Sequence, residues 1–388
     1  MVIYWKPFLY FIVLRFLYYL YITMLFNIND IKWCKILNIK QVYGDFPVNL
    51  SDYIQQYDNP AFKQNEKYQF VYDKLFIMES QDIPSGKLNN QTTSNINIEY
   101  PIFIKPRWGH TSAGSKDCYK IKDSKQLQKF IQKPNMMWST FINANESMTD
   151  FVMQEGKILY QLTYQYSPKQ NVFADDWKFI NPQSQPPKKI VEWIHKHLPD
   201  YTGALNVQYR DDIIIEVSLR FARRGSYLKS TNNPKLIRNI NNVIGNPKKG
   251  EWKYNVDTSF RPYYSFKCWS PISLFYILPN KIMELITQCT GCKKFYEYYF
   301  EPTGKNGTIF FQFQHHNFNL GMKIKQFIEM LTLLCNMFFI IMFFICIYAI
   351  HQPKTNTLGY HMLGLLLILY MTMFLNSYHH FSKIFRIV

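Results

Sequence analysis

The chain has no internal repeat, no gathered run of basic residues and no second Cys-x-x-Cys to partner Cys289-Thr-Gly-Cys292. The first absence excludes a solenoid or propeller array. The last disfavours a structural zinc site, for which His315 and His316 would have to be recruited from elsewhere. Cysteine is sparse and odd in number, seven in all, and Cys335 and Cys346 lie inside apolar runs. A disulfide framework is therefore disfavoured and a reducing compartment fits better. Four Asn-x-Ser/Thr triplets, starting at Asn49, Asn90, Asn145 and Asn306, read as chance in so Asn-rich a chain. Acidic residues are also few, 27 against 44 Lys and Arg, which leaves a net charge of +17. That excess admits three polyanions: nucleic acid, an anionic membrane surface or a phosphorylated ligand.

Apolar and aromatic residues are plentiful. At 388 residues, 47% hydrophobic and 18% aromatic, the chain can bury a large core, and collagen-like or disordered readings fail. Residues 330–350 carry no charge and residues 358–378 are nearly all apolar, each about the length of a membrane-spanning helix. The polar linker from His351 to Thr357 contains Pro353, so the expectation is a C-terminal transmembrane hairpin. Lys323, Lys325, Lys383 and Arg386 flank its ends, against Lys354 alone in the linker, which puts the preceding domain in the cytosol. Residues 8–26 are apolar but carry Arg15 near the centre, and no small-residue cleavage site follows. An interfacial or re-entrant anchor competes there with a third span.

Between about 60 and 322 short apolar runs alternate with polar helical stretches, the pattern of an α+β domain. The runs are Pro101 to Ile104, Lys157 to Tyr160, Ala204 to Val207 and Ile213 to Ile215. Asp123 to Gln132 and Lys188 to His197 read as helices, and Thr231 to Gly250, rich in Asn, Pro and Lys, as a linker.

Two segments carry candidate chemistry. In Tyr100-Pro-Ile-Phe-Ile-Lys-Pro-Arg-Trp-Gly-His-Thr-Ser-Ala-Gly-Ser115 a β-like run delivers Lys105. A loop of small residues then follows, with Gly109, Ser112 and Gly114. Such a loop lets backbone N–H groups approach phosphate oxygens beside a fixed positive charge. From Tyr201 to Arg220 the text reads as a hairpin turning at Asp211-Asp212. On its second strand Glu216, Ser218 and Arg220 share one side, and across the hairpin Gln208 can face Glu216. That would gather oxygen ligands beside a cation, as a magnesium ion bridging phosphates requires.

In this order and spacing, from about Tyr72 to Tyr227, the segments resemble the ATP-grasp superfamily, in particular its carbamoyl-phosphate synthetase and biotin carboxylase-like branch. Asp73-Lys74 resembles the family's Asp-Lys step, and Phe103-Ile-Lys105-Pro-Arg-Trp-Gly109 its second phosphate-binding lysine and glycine-rich flap. Met137 to Ile142 falls at the adenine-contacting hinge, and Glu146 to Asp150 resembles the acidic strand beyond it. The resemblance implies two α+β lobes clasping ATP, with Lys74, Lys105, Gly109, Ser112, Gly114, Trp138, Ser139, Phe141, Ile142 and Asp150 as nucleotide-binding residues. It implies Gln208, Glu216 and Ser218 as ligands of Mg2+ or Mn2+. Arg220 and Lys105 would be catalytic, and Arg220, Arg223 and Arg224 would meet a substrate carboxylate. The chain departs from the family where Ser218 replaces the usual Asn, where Ser139-Thr140 replaces an acidic hinge residue, and before Asp73, which no Rossmann-like segment precedes.

The expected architecture is an N-terminal region over 1–60, an ATP-grasp core over 61–235, an accessory part over 236–322 and the hairpin over 323–388. The expected function is a membrane-anchored, ADP-forming carboxylate-amine ligase, with ATP, a carboxylate substrate and the lipid bilayer as partners. Two rivals are a nucleotide-binding pseudoenzyme or scaffold, favoured by Ser218, and a basic membrane protein binding nucleic acid, which rests on net charge alone.

Overall fold

A computed structural model describes residues 39–41, 48–88, 98–111, 117–168, 170–171, 174–248, 250–256, 260–270, 285–286, 289–295, 299–300, 308–352, 355–367 and 385–387. The chain falls into two compact units, one running Phe46–Tyr264 and the other made of Met1–Asp45 with Ser265–Val388.

In the Phe46–Tyr264 unit the chain enters through α1 (Asp58–Gln64), a 3-10 turn over Glu66–Tyr72 and α2 (Lys74–Glu79). Four strands then form an antiparallel sheet in the order β1-β4-β2-β3: β1 (Ser85–Lys87), β2 (Ile102–Pro106), β3 (Tyr119–Ile121) and β4 (Met136–Thr140). Its two faces differ as strand alternation requires. Ile102, Ile104, Ile121, Met136 and Trp138 bury one face together with Leu127 of α3 (Ser124–Gln128) and Ile131 beyond it. Phe103, Lys105, Met137 and Ser139 occupy the other, because Phe103 pairs with Ser139 and Lys105 with Met137.

The larger sheet of this unit runs β9-β8-β5-β6-β7. Its strands are β5 (Glu146–Gln154), β6 (Lys157–Tyr166), β7 (Trp177–Asn181), β8 (Gly203–Arg210) and β9 (Ile213–Ser218). Phe151, Met153, Leu205, Val207, Tyr209, Ile214 and Val217 line one face, and α2 and α4 (Lys188–His197) close over it. In α4, Ile190, Trp193 and Ile194 are buried at i, i+3 and i+4, and the Trp193 indole donates to Ser80 Oγ at 2.8 Å. The β8–β9 hairpin turns at Asp211-Asp212, as its sequence predicts.

The segment expected to be a linker, Thr231 to Gly250, is instead largely helical. After α5 (Ser226–Ser230), helix α6 spans Pro234–Ile244. Asn233 caps it by accepting from the Leu236 N–H, with Pro234 in the first turn where its missing N–H costs nothing. Leu236, Ile237, Ile240, Val243 and Ile244 are buried at helical spacing. The Asn and Pro content masked that period.

Strand β10 (Tyr263–Ser270), which belongs to the other unit from Ser265 on, runs with β11 (Lys293–Phe295), β12 (Tyr299–Phe300) and β13 (Thr308–His315) in the order β10-β13-β11, with β12 pairing β13. Helix α7 (Phe318–His351) follows, capped by Asn317. Its first turns pack on β10. A Cβ on Gly321 would overlap the Phe266 ring, and Glu329 accepts from the Trp269 N–H at 2.8 Å. Beyond them Phe327, Met330, Leu334, Phe338, Ile341, Phe344 and Tyr348 are exposed. Among the described residues α7 is the one helix long and apolar enough to cross a membrane. Of the second expected span, residues 356–367 are helical and 368–378 lie outside the described residues, as does the whole of segment 8–26.

Candidate functional site

Four elements of the Phe46–Tyr264 unit converge on Glu216. Asp73 caps α2, its Oδ1 accepting from the Leu75 N–H at 3.0 Å, and so presents Lys74 at the first helical position. Arg107, just past β2, grips the same carboxylate with both arms, Nε reaching Oδ1 at 2.8 Å and the second nitrogen reaching Oδ2. The Lys74 N–H also donates to the Arg107 carbonyl at 2.9 Å. This bidentate clamp fixes α2 against β2, so that Lys74 and Lys105 arrive side by side. Lys74 Nζ lies 3.5 Å from Glu216 Oε2, and Lys105 Nζ donates to the Ile215 carbonyl at 2.9 Å.

That carbonyl is available because the hairpin is irregular. Gln208 pairs with Glu216 and Tyr209 with Ile214, so Ile215 is the extra residue of a bulge. A bulged residue drops out of the ladder and frees its backbone groups. The bulge lets Ile214 and Val217 both face the core while Glu216 and Gln208 stay on the opposite face. Asn206 pairs with Ser218 one row further on, also on that face.

Electrostatically the cluster is cationic and partly dry. Burial lowers Lys105 to about 8, with the Lys74 charge acting in the same direction and Glu216 against it. Arg220 is buried. Burial alone would disfavour its charge, but Asp58, whose Oδ2 accepts from the guanidinium at 2.6 Å, holds it above the ordinary arginine range. Gly109 opens the flap beside the cluster: a Cβ there would stand 3.7 Å from Glu216 Oε1 and 3.4 Å from the Tyr72 ring. The Tyr72 hydroxyl accepts from the Leu219 N–H at 3.0 Å, which ties the turn before α2 to the end of β9.

The structure thus brings together Lys74, Lys105, Gly109, Gln208, Glu216, Ser218 and Arg220. Ser112 and Gly114 lie outside the described residues. Two expected nucleotide contacts are corrected. Trp138 points its indole into the closed core of the smaller sheet, against Gly86, so its side chain is unavailable to an adenine. Asp150 is fully enclosed, its carboxylate accepting from the Tyr164 hydroxyl at 2.8 Å, the Asn206 amide at 2.9 Å and the Ala222 N–H at 2.8 Å. Burial raises it to about 6 against those three bonds. Its role is to hold the chain turning out of β9.

Ser139 is buried on the lysine-bearing face, in one row with Phe103. Phe141 carries Lys120 Nζ 3.8 Å above its ring. Ile142 offers its carbonyl to Arg210 at 3.0 Å, and Arg210 also pairs with Glu146 at 3.1 Å, so the hinge is anchored to β8. Arg223 and Arg224 both adopt left-handed backbone, with φ of 45° and 55°. Arg224 stacks on Tyr57 and donates to its hydroxyl.

Sequence reasoning missed Arg107, Arg210 and Asp58. Arg107 lies inside the recognised motif, and its partner Asp73 was in view. Asp58 gives no local signal, because its contact with Arg220 joins positions 162 apart.

Glu216 and Gln208 supply the hard oxygen donors that suit magnesium, which binds through one or two carboxylates plus phosphate oxygens. Among the described residues no group of three or more His, Cys, Asp or Glu could hold a metal ion unaided. A metal here would therefore depend on amide, hydroxyl and phosphate oxygens as well.

No protein-family model matches the chain, and no curated protein matches it. Solved structures do. An L-amino acid ligase from Bacillus licheniformis shares 12% identity over 66% of this chain and 70% of its own, with a TM-score of 0.43. An N5-carboxyaminoimidazole synthetase from Staphylococcus aureus, complexed with ADP, shares 13% over 67% and 71%, with a TM-score of 0.45. A biotin carboxylase from Campylobacter jejuni shares 11% over 65% and 67%, with a TM-score of 0.40. At such TM-scores these likenesses add no argument about what the residues of this chain do.

Proposed function

We propose that the chain is an ATP-dependent, ADP-forming ligase that activates a carboxylate as its acyl phosphate and passes the acyl group to an amine. The observation supporting this most directly is the meeting of Lys74 and Lys105 at Glu216, opposite Gln208 on the hairpin. Two fixed ammonium groups and an oxygen-donor pair fit a triphosphate with its divalent ion. Glu216 and Gln208 would hold the magnesium, with the Ser218 hydroxyl one row away. When bound, the metal neutralises charge on the phosphate oxygens.

Lys74 and Lys105 bind the phosphates and stabilise the charge that spreads over the transferring phosphoryl group. The described start of the flap, Gly109–Thr111, stands beside them. Arg220 stands at the end of the row, where an incoming carboxylate meets the phosphoryl group, and Arg223 and Arg224 flank it. The small-sheet face carrying Phe103, Met137 and Ser139, with Phe141 at the hinge, forms the apolar wall for the base.

Helix α7 is read as a membrane anchor because its apolar side chains project outward over several turns: Phe344 is 65% and Tyr348 69% exposed. Residues 358–378 would complete a hairpin, with the nucleotide site on the cytosolic side. Co-flotation of the full chain with phosphatidylcholine vesicles, kept in high salt, is the expected result. Release by salt would contradict an anchor.

A second reading, a nucleotide-binding scaffold without turnover, is favoured by Ser218 in place of Asn and by Asp58 occupying Arg220. Turnover decides between them. ADP release from Mg-ATP that depends on an added carboxylate, screened with hydroxylamine as acceptor and read as hydroxamate, supports the ligase. Mg-ATP binding with no ADP release under any carboxylate supports the scaffold.

A further inference from the structure

Beside the proposed phosphate-binding cluster two buried polar atoms, Asp58 Oδ1 and His110 Nδ1, have no hydrogen-bond partner among the described residues. They belong to one cluster of side chains. Asp58 and Phe62 are one turn apart on α1, hence on one face. The His110 ring stacks on Phe62 with centroids 3.7 Å apart and planes at 15°. Tyr72 stands edge-on to both, 5.6 Å from Phe62 and 5.9 Å from His110. Arg220 takes Asp58 Oδ2 and leaves Oδ1 unsatisfied. The cluster adjoins the proposed phosphate site, because Gly109, which precedes His110, lies against Glu216.

An unpaired carboxylate oxygen out of water requires a donor. A neutral imidazole nitrogen can accept one. A second carboxylate or a phosphate would be repelled by Asp58. An amine satisfies both atoms through its N–H groups.

We propose that Asp58 and His110 form the acceptor subsite of the ligase described above, taking a primary or secondary amine; the inference rests on that reading. Asp58 Oδ1 accepts from the amine and orients its lone pair toward the acyl phosphate. The amine nitrogen attacks the acyl carbon, the C–N bond forms and the C–O bond to phosphorus breaks. Inorganic phosphate leaves with that electron pair, and the surplus proton on nitrogen passes to His110 Nδ1. Burial lowers the His110 pKa and Asp58 opposes it, so the ring is ready to accept. Among the described residues Asp58 is the charge that acts on His110, and Tyr72 stands edge-on to its ring.

The test uses the full chain in detergent micelles, labelled with 13C at histidine. His110 is identified among the nine histidines by loss of its signal in His110→Asn. Methylammonium chloride is titrated against tetramethylammonium chloride, which has no N–H, at equal ionic strength. The His110 signal should shift saturably with methylammonium alone, and Asp58→Asn should weaken that response about tenfold or more, as loss of a hydrogen bond between charged groups requires. Asp58→Glu should retain most of it. No saturable shift, an equal shift with tetramethylammonium, or an undiminished response in a folded Asp58→Asn overturns the proposal. If Asp58→Asn unfolds, judged from the remaining histidine signals, the wild-type comparison decides by itself. Mg-ATP binding measured on the same sample separates the two claims. Binding without the amine response overturns the acceptor subsite alone, whereas no binding removes the ligase reading and the acceptor role with it.

Discussion

Lys74 Nζ and Glu216 Oε2 lie 3.5 Å apart, a cation from the first turn of α2 against an anion from the middle of β9. The lysine is almost wholly buried, whereas Glu216 keeps about a quarter of its side chain in solvent. A buried ammonium needs compensation, and phosphate oxygens with their metal can take over from the carboxylate. On the proposed reading the pair compensates the buried ammonium until nucleotide arrives.

Glu216→Gln removes that compensation. The folded chain should lose roughly 1–3 kcal/mol, the penalty for leaving a buried charged group unsatisfied. Chemical denaturation of Glu216→Gln and of Lys74→Met/Glu216→Gln checks it: the double variant should recover part of the loss.

Nucleotide affinity should depend on pH through Lys105. Burial lowers its pKa to about 8, and bound phosphate raises it again, so the complex takes up a proton where the free protein has lost one. Affinity for Mg-ATP is then flat below about pH 7 and falls as pH rises past 8. Calorimetric titrations at pH 7 and 9 measure the drop, and Lys105→Arg, permanently charged, should flatten it.

Arg107 is predicted to matter without touching nucleotide. Its bidentate grip on Asp73 aligns Lys74. Arg107→Lys keeps the charge and loses the fork, so Mg-ATP affinity should fall about tenfold while melting temperature changes little. Unchanged affinity would show that α2 is fixed by packing alone.

Asp150 gives a stability signature. Its pKa is raised from 3.8 to about 6, so the folded chain binds an extra proton between those values. The stability this contributes is complete below 3.8 and lost as pH rises through about 6. Relative to Asp150→Asn, wild type should lose stability over that window, as denaturant midpoints at pH 4 and 7 would record.

Cys118 offers a site-specific probe. It follows the flap and interacts electrostatically with Lys74, Lys105 and Glu216, while burial raises its pKa. Mg-ATP should slow its alkylation by N-ethylmaleimide several-fold, measured by mass spectrometry with the exposed Cys289 as internal control.

Much of the site was legible in the sequence because strand alternation is a strict rule. The hairpin turn at Asp211-Asp212 and the shared face of Glu216 and Ser218 follow from counting by twos, whereas the pairing of Gln208 with Glu216 depends on a bulge. The bulge at Ile215 was not legible, because a single extra residue leaves no mark on composition. Trp138 was misread because alternation also governs β4: its neighbours Met137 and Ser139 face the lysines, so Trp138 must face away. Helix α6 was missed because Asn and Pro were taken as linker chemistry, although Asn233-Pro234 is a helix start and Leu236, Ile240 and Val243 keep a helical period. Asp58 and Asp150 act through partners distant in sequence, which no local pattern encodes.

The most direct test is Mg-ATP binding by the full chain in detergent micelles, measured calorimetrically beside Lys105→Ala and Glu216→Gln. The account predicts magnesium-dependent binding by the parent, weakened about 10- to 100-fold in Lys105→Ala by loss of a charged hydrogen bond, and loss of the magnesium dependence in Glu216→Gln. A folded parent that binds no Mg-ATP, or one whose affinity both variants leave unchanged, would contradict it.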